Sequence, residues 1–227
     1  MSRAAPLRLN GNALSADVSG ALYWPARRTL VVADLHLEKG SALAARGQLL
    51  PPYDSAATLQ ALAGAIGRYR PERVICLGDS FHDDGAAKRL AREDRGRLSR
   101  LAAGRDWIWI AGNHDPSPPA DWVGRAATEI TLGALTFRHQ ADEGRAPGEV
   151  SGHYHPKASV RTRARRISGR CFVTDGRRLV LPAFGAYTGG LEVLDPALAG
   201  LFPRGFTIHL LGRNGVYGFP KAALERR

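Results

Sequence analysis

Four apolar, strand-like runs in this chain each lead directly into a short polar segment, and no other feature constrains the fold as strongly. The runs cover residues 30–33, 74–77, 107–111 and, more weakly, 149–151. The polar segments that follow them are Asp34-Leu35-His36, Gly78-Asp79, Gly112-Asn113-His114-Asp115 and Gly152-His153-Tyr154-His155. Apolar runs that alternate with helical patterns predict buried strands of an α/β fold. Because ligands bind at the carboxyl ends of strands in such sheets, we expect the polar segments to form one site.

The overall composition agrees with a protein built around one core. A chain of 227 residues with 44% hydrophobic content can form a single domain spanning residues 1–227. The amino terminus has no apolar segment of signal-peptide length, and no run reaches the ~18 apolar residues of a membrane-spanning helix. We therefore expect a cytoplasmic protein without membrane association. Cys76 and Cys171 lie in apolar runs, which favours buried reduced thiols over a disulfide or a metal site.

The charge balance indicates a polyanionic partner. The net charge is +11, and 28 of the 32 basic residues are arginines, whose guanidinium groups suit phosphate binding. A compositional bias of the source genome explains many of these arginines equally well, so their location matters. One cluster follows the last polar segment and contains Lys157, Arg161, Arg163, Arg165, Arg166 and Arg170. Most charge runs are solvated faces, but this position predicts that part of the cluster, with Arg161, Arg163, Arg165 and Arg166, holds a nucleic-acid backbone.

The remaining segments predict helices and short strands around this site. Residues 54–68 carry apolar side chains at helical spacing, with Asp54 as the N-cap, and residues 86–102 form a second amphipathic pattern. Hairpin turns are indicated at Leu132-Gly133, Asp175-Gly176 and Asn214-Gly215. Further strands are predicted at residues 7–14, 21–24, 129–132, 135–138, 170–174, 178–181 and 205–211. The pattern as a whole predicts two packed mixed sheets flanked by helices.

The polar segments combine carboxylates, imidazoles and an amide oxygen, which suit divalent ions such as Mn²⁺, Fe²⁺ or Zn²⁺. A shared carboxylate such as Asp79 can bridge two ions ~3.5–4 Å apart, so we expect two divalent ions rather than one. The nucleophile for a phosphoester would then be a metal-bridging hydroxide. Asp-x-His or Gly-Asp alone would more often be a capped turn. The four segments together, in this order, predict metal-dependent phosphoester hydrolysis.

The same segments resemble the calcineurin-like metallophosphoesterase superfamily, whose pattern runs Asp-x-His, Gly-Asp, Gly-Asn-His-Asp/Glu, a lone His and Gly-His-x-His. The resemblance implies a metallophosphoesterase-type β-sandwich in which one metal ion is held by Asp34, His36, Asp79 and His155. It assigns the second ion to Asp79, Asn113, His139 and His153. It also implies that His114 is a catalytic residue that binds no metal, and that Asp115 orients it. Gln140 departs from the pattern, because the family usually has glycine after the lone histidine.

Within the superfamily, the closer resemblance is to the ligase-associated DNA damage response endonucleases of bacteria. It is carried by residues 32–40, 77–83 and 181–190, and it extends over roughly residues 5 to 195. The resemblance implies a manganese-dependent phosphodiesterase or DNA endonuclease that acts in DNA repair, with a ligase, a helicase or an exonuclease as partners. Its substrate would be single-stranded or flexible DNA, because the backbone must bend into a site rimmed by loops.

Several alternatives are excluded or left open by the residues. Phosphoprotein phosphatases carry Gly-Asp-x-x-Asp-Arg-Gly and Gly-Asn-His-Glu, which this chain lacks at residues 78–85 and 112–115. The metal residues do not separate DNA from a small nucleotide, so a small-nucleotide phosphodiesterase or pyrophosphohydrolase stays open, as does a non-catalytic nucleic-acid-binding scaffold. His82 either contacts the substrate phosphate or caps a turn, whereas His209 is expected to be structural. The apolar carboxyl-terminal residues either close the core or form a homodimer face.

Overall fold

The computed structural model describes residues 3–48, 50–116, 122–144, 147–161 and 165–225. In these residues the strands are β1 Ala4–Leu9, β2 Asn12–Asp17, β3 Leu22–Trp24, β4 Thr29–Val32, β5 Arg73–Leu77, β6 Asp106–Ile110, β7 Arg125–Ala127, β8 Glu129–Leu132, β9 Leu135–Arg138, β10 Glu149–Ser151, β11 Pro156–Arg161, β12 Arg166–Thr174, β13 Arg178–Val180, β14 Leu191–Glu192, β15 Thr207–Leu211 and β16 Val216–Pro220. The helices are α1 Lys39–Ala44, α2 Asp54–Tyr69, α3 Ala86–Arg89, α4 Arg92–Ala102 and α5 Pro196–Ala199, with 3-10 turns at Pro25–Arg27 and Lys221–Ala223.

The first sheet has the strand order β1-β2-β3-β4-β5-β6-β7. Its centre is formed by β4, β5 and β6, which are parallel neighbours and almost fully buried. Strands buried on both faces are continuous apolar runs, as in these three segments. Because the three strands are parallel, their carboxyl ends at Val32, Leu77 and Ile110 lie at the same edge of the sheet.

The second sheet has the order β14-β11-β12-β13-β10-β9-β8, and β15 and β16 extend it from β12. Strand β10 lies between β9 and β13 and is parallel to both. Strand β12 pairs with β11 over its first half and with β13 and β15 over its second half. The β11–β12 hairpin therefore projects beyond the carboxyl end of β10.

The two sheets pack face to face around one apolar cluster that includes Val31, Ile75, Phe137, Phe172 and Leu179. Helices α2 and α4 cover the outer face of the first sheet, with Leu59, Leu62 and Leu98 packed against its buried side chains. A third cluster, on the outer side of the second sheet, holds the carboxyl-terminal apolar residues, including Phe202, Phe206 and Ile208. The predicted architecture of two mixed sheets flanked by helices is confirmed. Both cysteines are free and buried, as expected.

The single strand predicted over residues 7–14 is wrong, because a hairpin turn interrupts it. Asn10 and Gly11 have φ angles of 46° and 80°, and Leu9 pairs with Asn12 across the turn. Positive φ at both central residues is the type I′ conformation, which Asn-Gly favours over most other pairs. The sequence signal was therefore present at Asn10-Gly11.

The helix predicted over residues 86–102 is divided into α3 and α4. Leu90 and Ala91 have extended ψ angles of 125° and 143°, and Leu90 is buried. The acidic residues Glu93 and Asp94 lie in the first turn of α4, where negative charge is favoured by the helix dipole. In the described part of the chain, no helix is long and apolar enough to span a membrane.

The side chain of Asp54 does not cap its own helix, contrary to the sequence-based prediction. Asp54 is the first residue of α2, and its buried carboxylate accepts a hydrogen bond of 2.9 Å from the backbone N–H of Gly40 in α1. A Cβ atom at Gly40 would lie 2.7 Å from the Asp54 carboxylate. This contact holds α1 against α2 and fixes the loop that follows β4.

Candidate metal centre

The polar segments converge where β4, β5, β6, β9 and β10 end. Six of the seven histidines of the chain are found here. The segment after β13 supports the centre from one side, because the backbone N–H groups of Phe184 and Gly185 donate to the carbonyl groups of Ala33 and Asp34. Tyr187, in the same segment, donates from its hydroxyl to the Pro51 carbonyl at 3.1 Å, which is a structural role.

The first donor group contains Asp34, His36 and His155, whose ligand atoms lie within 4.8 Å of one another. The Nε2 atoms of His36 and His155 are 3.2 Å apart, and Nε2 of His155 is 3.5 Å from Oδ1 of Asp34. Burial, followed by the charge of His155, lowers the pKa of His36 to about 2. The imidazole of His36 is therefore neutral, which is the form that binds metal ions.

The second donor group contains Asp79, His139 and His153, also within 4.8 Å of one another, and Asn113 joins it. Oδ1 of Asn113 is 2.9 Å from Nε2 of His139 and 3.0 Å from Nδ1 of His153, and those two nitrogens are 3.1 Å apart. Three ligand atoms thus form a close triangle. The pKa of His153 is lowered, first by burial and then by His139, so its ring is also kept neutral.

Asp79 connects the two groups. Its Oδ2 atom is 3.9 Å from Nε2 of His36 in the first group and 3.5 Å from Nε2 of His139 in the second. Its other oxygen, Oδ1, accepts a hydrogen bond of 2.9 Å from the backbone N–H of His114. A carboxylate with one oxygen between two donor groups is suited to bridging two ions.

One contact within the second donor group fits a bound divalent ion. Nδ1 of His139 is 2.9 Å from the carbonyl oxygen of Leu77, which only accepts, so Nδ1 carries a hydrogen and in the neutral ring Nε2 has the lone pair. That lone pair faces the Asn113 oxygen, another acceptor, at 2.9 Å. With a neutral ring, two acceptors at this distance are stabilised by a cation between them, which is either a metal ion or a proton on Nε2. Hydrogen bonding of the far ring nitrogen to a carbonyl is also the usual arrangement of a metal-binding histidine.

The backbone at the ligands is strained. In the described ranges nine residues other than glycine have positive φ, and five of them are candidate ligands: Asp34, His36, Asp79, His153 and His155. Each such conformation costs on the order of 1–3 kcal/mol and is maintained only where the surroundings enforce it. The fold therefore holds these side chains in conformations that the isolated segments would avoid.

Two glycines allow the close approach of the ligand segments. A Cβ atom at Gly78 would collide with the ring of His139. At Gly112 it would collide with the backbone N–H and the carboxylate of Asp79, and it would lie 2.6 Å from Oδ1 of Asp115. The glycines of the two motifs are thus required by packing around the ligands.

His114 lies in the loop after β6 and is exposed beside the donor groups. Its Nδ1 atom is 2.9 Å from the carbonyl oxygen of His82, so Nδ1 carries the hydrogen and Nε2 remains for a substrate. Its ring stacks on that of His82, with centroids 5.2 Å apart, and also contacts the ring of His36. His82 therefore touches both the candidate ligand His36 and the candidate catalytic residue.

Asp115 does not orient the His114 ring directly, contrary to expectation. Its buried carboxylate accepts hydrogen bonds from the backbone N–H groups of Ser80, Phe81 and Gly112, at 2.8, 3.1 and 3.2 Å. Burial, followed by the neighbouring charge of Asp79, raises the pKa of Asp115 to about 7, although the Phe81 and Ser80 hydrogen bonds act against the shift. Asp115 joins the loops after β5 and β6, and it positions His114 only through the backbone.

The basic cluster lies mostly away from the centre. Val173 of β12 is level with Val180 and hence with Ser151 at the end of β10. Arg166 is seven residues earlier in the extended strand, so it lies about 20 Å beyond this level. Arg161 pairs with Arg166 in the hairpin register, and both contact the Glu225 carboxylate.

The other members of the cluster differ in their surroundings. The guanidinium of Arg170 is already hydrogen-bonded within the protein, because it donates to the Ala183 carbonyl at 2.7 Å. Arg165 lies directly before β12, near the end of the hairpin. Arg163 lies outside the described residues.

Residues that the motifs did not indicate also line the centre. A cavity of about 360 Å³ next to His114 is lined by Arg46, and a second one, of about 490 Å³ next to His153, is lined by Tyr154 and Gln140. Gln140 does not displace His139, whose ring keeps its contacts to Leu77 and Asn113. Arg46 is ten residues beyond His36, the end of the nearest ligand motif, so spacing gave no signal for it.

Seven donors in two groups around one shared carboxylate, at the strand ends of a two-sheet sandwich, are the arrangement of dinuclear metal-dependent hydrolases. A family model described as calcineurin-like phosphoesterase matches residues 27–185, which is more than half of the chain. The protein therefore belongs to the calcineurin-like phosphoesterase family and is a phosphoesterase. No curated protein matches the chain.

Among solved structures, the Pseudomonas putida nuclease MPE is similar over 95% of this chain and 100% of its own, with a TM-score of 0.73 and 28% identity. Weaker likenesses are to the phosphoesterase YfcE of E. coli, with a TM-score of 0.41, 12% identity and coverage of 85% and 98%, and to a conserved predicted phosphoesterase of Streptococcus pneumoniae, with a TM-score of 0.33, 15% identity and coverage of 85% and 97%. The first likeness agrees with the resemblance to DNA damage response endonucleases.

Proposed function

We propose that the protein is a manganese-dependent DNA endonuclease that acts on single-stranded or flexible DNA in DNA repair. The observation that carries the proposal is the pair of donor groups joined by Asp79, with His114 exposed beside them. The nuclease activity of the Pseudomonas putida protein, which is similar over nearly the whole chain, supports a nucleic-acid substrate. The resemblance of residues 32–40, 77–83 and 181–190 supports the assignment to DNA repair and to manganese.

In this proposal the two ions are held by the groups described above, Asp34, His36, His155 and Asp79 on one side and Asp79, Asn113, His139 and His153 on the other. When bound, the ions would polarise the phosphoryl oxygen and lower the pKa of an attacking water. Burial lowers the pKa of His36 and His153 and so keeps these two imidazoles neutral, and the His114 N–H fixes Asp79, so these donors are arranged before a substrate binds.

His114 acts on the leaving group. Hydrolysis forms a bond from water to phosphorus and breaks the bond from phosphorus to the leaving oxygen, which must gain a proton. The carbonyl of His82 accepts a hydrogen bond from Nδ1 of His114, which leaves Nε2 for proton transfer to the leaving oxygen. A protonated imidazole would donate from Nε2 to the leaving oxygen, and this kind of general acid catalysis typically contributes 10²–10⁴-fold to the rate, as an order of magnitude.

The projecting β11–β12 hairpin favours a polymer over a small nucleotide. Its arginines Arg161, Arg165 and Arg166 lie at its far end, about 20 Å beyond the strand ends, which a mononucleotide bound at the metal centre cannot reach. A DNA strand that leaves the centre can extend along the hairpin, and its phosphates would make the affinity dependent on salt. Charge reversal of Arg161 and Arg166 should therefore weaken DNA binding and reduce its salt slope.

The proposal is tested with a circular single-stranded DNA, because a circle has no ends and reports endonuclease cleavage directly. Metal-stripped protein is supplied with Mn²⁺, Mg²⁺ or Zn²⁺, alongside the His114→Ala variant and a small diester, bis-p-nitrophenyl phosphate. We expect cleavage of the circle with Mn²⁺ and its loss in His114→Ala. Hydrolysis of the small diester alone would assign the protein to the small-nucleotide phosphodiesterases, and inertness of both substrates would support the scaffold alternative.

A further inference from the structure

Of the two cavities beside the metal centre, one is lined by an arginine and the other by no described lysine or arginine. The cavity next to His153 is lined by Tyr154, Gln140 and Leu191, and Glu143 is the charged residue at its rim. The cavity next to His114 has a volume of about 360 Å³ and is lined by Arg46, His82, Asp83, Asp84, Asn113 and His114. We call it the Arg46 cavity. Its position beside Asn113 and His114 makes it the space next to the proposed leaving oxygen.

Within the Arg46 cavity the charge of Asp83 is already neutralised. The guanidinium of Arg89 binds both oxygens of Asp83, at 2.9 and 2.8 Å, and the Gly85 N–H donates to the same carboxylate. These contacts lower the pKa of Asp83 against the effect of burial, so the carboxylate stays charged and paired. Asp84 also lines the cavity, and its carboxylate is exposed to solvent, which screens its charge. Asp83 is thus part of the wall rather than a competitor for an incoming anion.

Arg46, in contrast, is an available cation. Across the described ranges, Arg46 has no carboxylate within ion-pair distance, and its side chain is exposed to the cavity. Lys39, at the start of α1, does not line the cavity, but its charge, like that of Arg46, lowers the pKa of His82. A planar guanidinium without a partner is the group that binds phosphate oxygens in bidentate geometry.

The backbone that carries Arg46 is fixed. Its N–H donates to the Leu43 carbonyl at 2.9 Å, and the turn is closed by a hydrogen bond from Gln48 to the same carbonyl. Helix α1 before it is held by Asp54 through Gly40 and by Arg89 through the Ser41 hydroxyl. Arg89 therefore connects the two walls of the cavity, since it also binds Asp83. The side chain of Arg46 therefore extends from a hydrogen-bonded turn next to the site.

We propose that the Arg46 cavity binds the backbone phosphate next to the scissile linkage on its leaving-group side, with the Arg46 guanidinium as the anion contact. This subsite rests on the proposed DNA cleavage, because it requires a substrate with more than one phosphate. The leaving-group side follows from the shared lining by Arg46 and His114. The cavity next to His153, which has no lysine or arginine in its described lining, receives the other side of the linkage.

The test compares Arg46→Ala and Arg46→Lys with Arg100→Ala, an exposed arginine of α4 that does not line the cavity. Two substrates are used: an oligodeoxynucleotide with a single preferred cleavage position and bis-p-nitrophenyl phosphate, which has one phosphate only. Loss of a charge-assisted hydrogen bond should lower kcat/KM for the oligonucleotide by about 10- to 100-fold, mainly through KM. The loss on the small diester should be at least tenfold smaller, and Arg46→Lys should be intermediate.

A methylphosphonate linkage locates the contact. The chemistry of the product ends first shows which oxygen leaves. A neutral methylphosphonate is then placed on the leaving side or on the opposite side of the cleaved linkage. We expect the leaving-side methylphosphonate to reduce cleavage by the wild-type protein and to have little further effect on cleavage by Arg46→Ala. The opposite-side methylphosphonate should reduce cleavage by wild type and Arg46→Ala equally.

Three results would overturn the subsite. Equal loss on both substrates in Arg46→Ala would show that Arg46 acts on the scissile phosphate or on folding, and an effect confined to the opposite-side methylphosphonate would reverse the assigned polarity. If Arg100→Ala lowers kcat/KM for the oligonucleotide as much as Arg46→Ala does, the effect is one of total positive charge and not of a contact in the cavity. Wild-type protein that hydrolyses the small diester but no oligonucleotide would instead contradict the proposed function, and the subsite with it.

Discussion

Nε2 of His139 lies 2.9 Å from Oδ1 of Asn113, and in the neutral ring each atom presents a lone pair to the other. The hydrogen of the His139 ring is on Nδ1, where it is donated to the Leu77 carbonyl at 2.9 Å. With a neutral ring this contact is repulsive by itself, and it becomes favourable when a metal ion or a proton lies between the two atoms. A metal ion bound by both atoms would therefore stabilise the folded protein.

Removal of metal should destabilise the protein. An ion that binds only the folded state at a hundred times its Kd contributes about 2.7 kcal/mol. For a chain of this size this corresponds to a rise in Tm of about 5–10 °C. The measurement is a thermal melt of protein treated with a chelator, then resupplied with Mn²⁺. His155→Ala, which removes one ligand of the first group, should show a smaller rise. A Tm that does not respond to Mn²⁺ in the wild-type protein would contradict the site.

His114→Ala should lower the rate of phosphodiester hydrolysis about 10²–10⁴-fold, because the leaving oxygen loses its proton donor. Bound metal should stay at the wild-type level, since His114 is outside both donor groups. Metal content by atomic absorption and single-turnover rates are measured on the same preparation. The matched control is His209→Gln, which changes the one histidine outside the centre and should keep wild-type activity. Loss of metal in His114→Ala would show that His114 is a ligand.

Gly112→Ala should inactivate the enzyme, because the new methyl group collides with Asp79. A displacement of about 1 Å at a catalytic group costs on the order of 100-fold in rate. Gly64→Ala in α2 is the control, because no atom lies within 4 Å of its added Cβ, and it should stabilise the protein by about 0.5–1 kcal/mol. Activity assays and urea unfolding distinguish the two effects. A fully active Gly112→Ala would show that the loops tolerate movement.

Asp17 should make stability depend on acid pH. Burial alone would raise its pKa, but hydrogen bonds from the Ser19 N–H and hydroxyl and from the Tyr69 hydroxyl, together with Arg68, lower it below 3.8. A folded-state pKa below the unfolded one contributes stability that is complete above about pH 4 and is lost as the pH falls through the folded value. Asp17→Asn should therefore cost on the order of 2 kcal/mol at pH 7.

The measurement for Asp17 is urea unfolding of wild type and Asp17→Asn between pH 7 and pH 2.5. The difference in unfolding free energy should be constant down to about pH 4 and should shrink below it. Glu72→Gln, at the exposed ion pair with Arg28, is the control and should change stability little at any pH. A difference that is the same at pH 7 and pH 2.5 would show that the charge of Asp17 is not the stabilising feature.

The sequence predicted the donor set well, because ligands at strand ends are determined by local pattern. Asp34, Asp79 and Asn113 directly follow or closely follow buried parallel strands, so their convergence follows from sheet topology. The strain at His153 and His155, by contrast, has no local signal, since positive φ in histidine is enforced by the surrounding packing.

Other features depend on contacts that are distant in sequence. The carboxylate of Asp54 binds Gly40 rather than its own helix, and Asp115 binds the loop after β5 rather than His114. Arg46 reaches the centre through the placement of α1, and the length of β12 determines how far the arginines of the hairpin project. None of these positions could be read from residue spacing, because each is set by how two remote segments pack.

The most direct test of the dinuclear centre is anomalous diffraction from crystals of the protein with Mn²⁺, recorded at the manganese edge. We predict two peaks about 3.5–4 Å apart on either side of the Asp79 carboxylate. One should be surrounded by Asp34, His36 and His155, and the other by Asn113, His139 and His153. A single peak, or peaks that do not share Asp79, would contradict it.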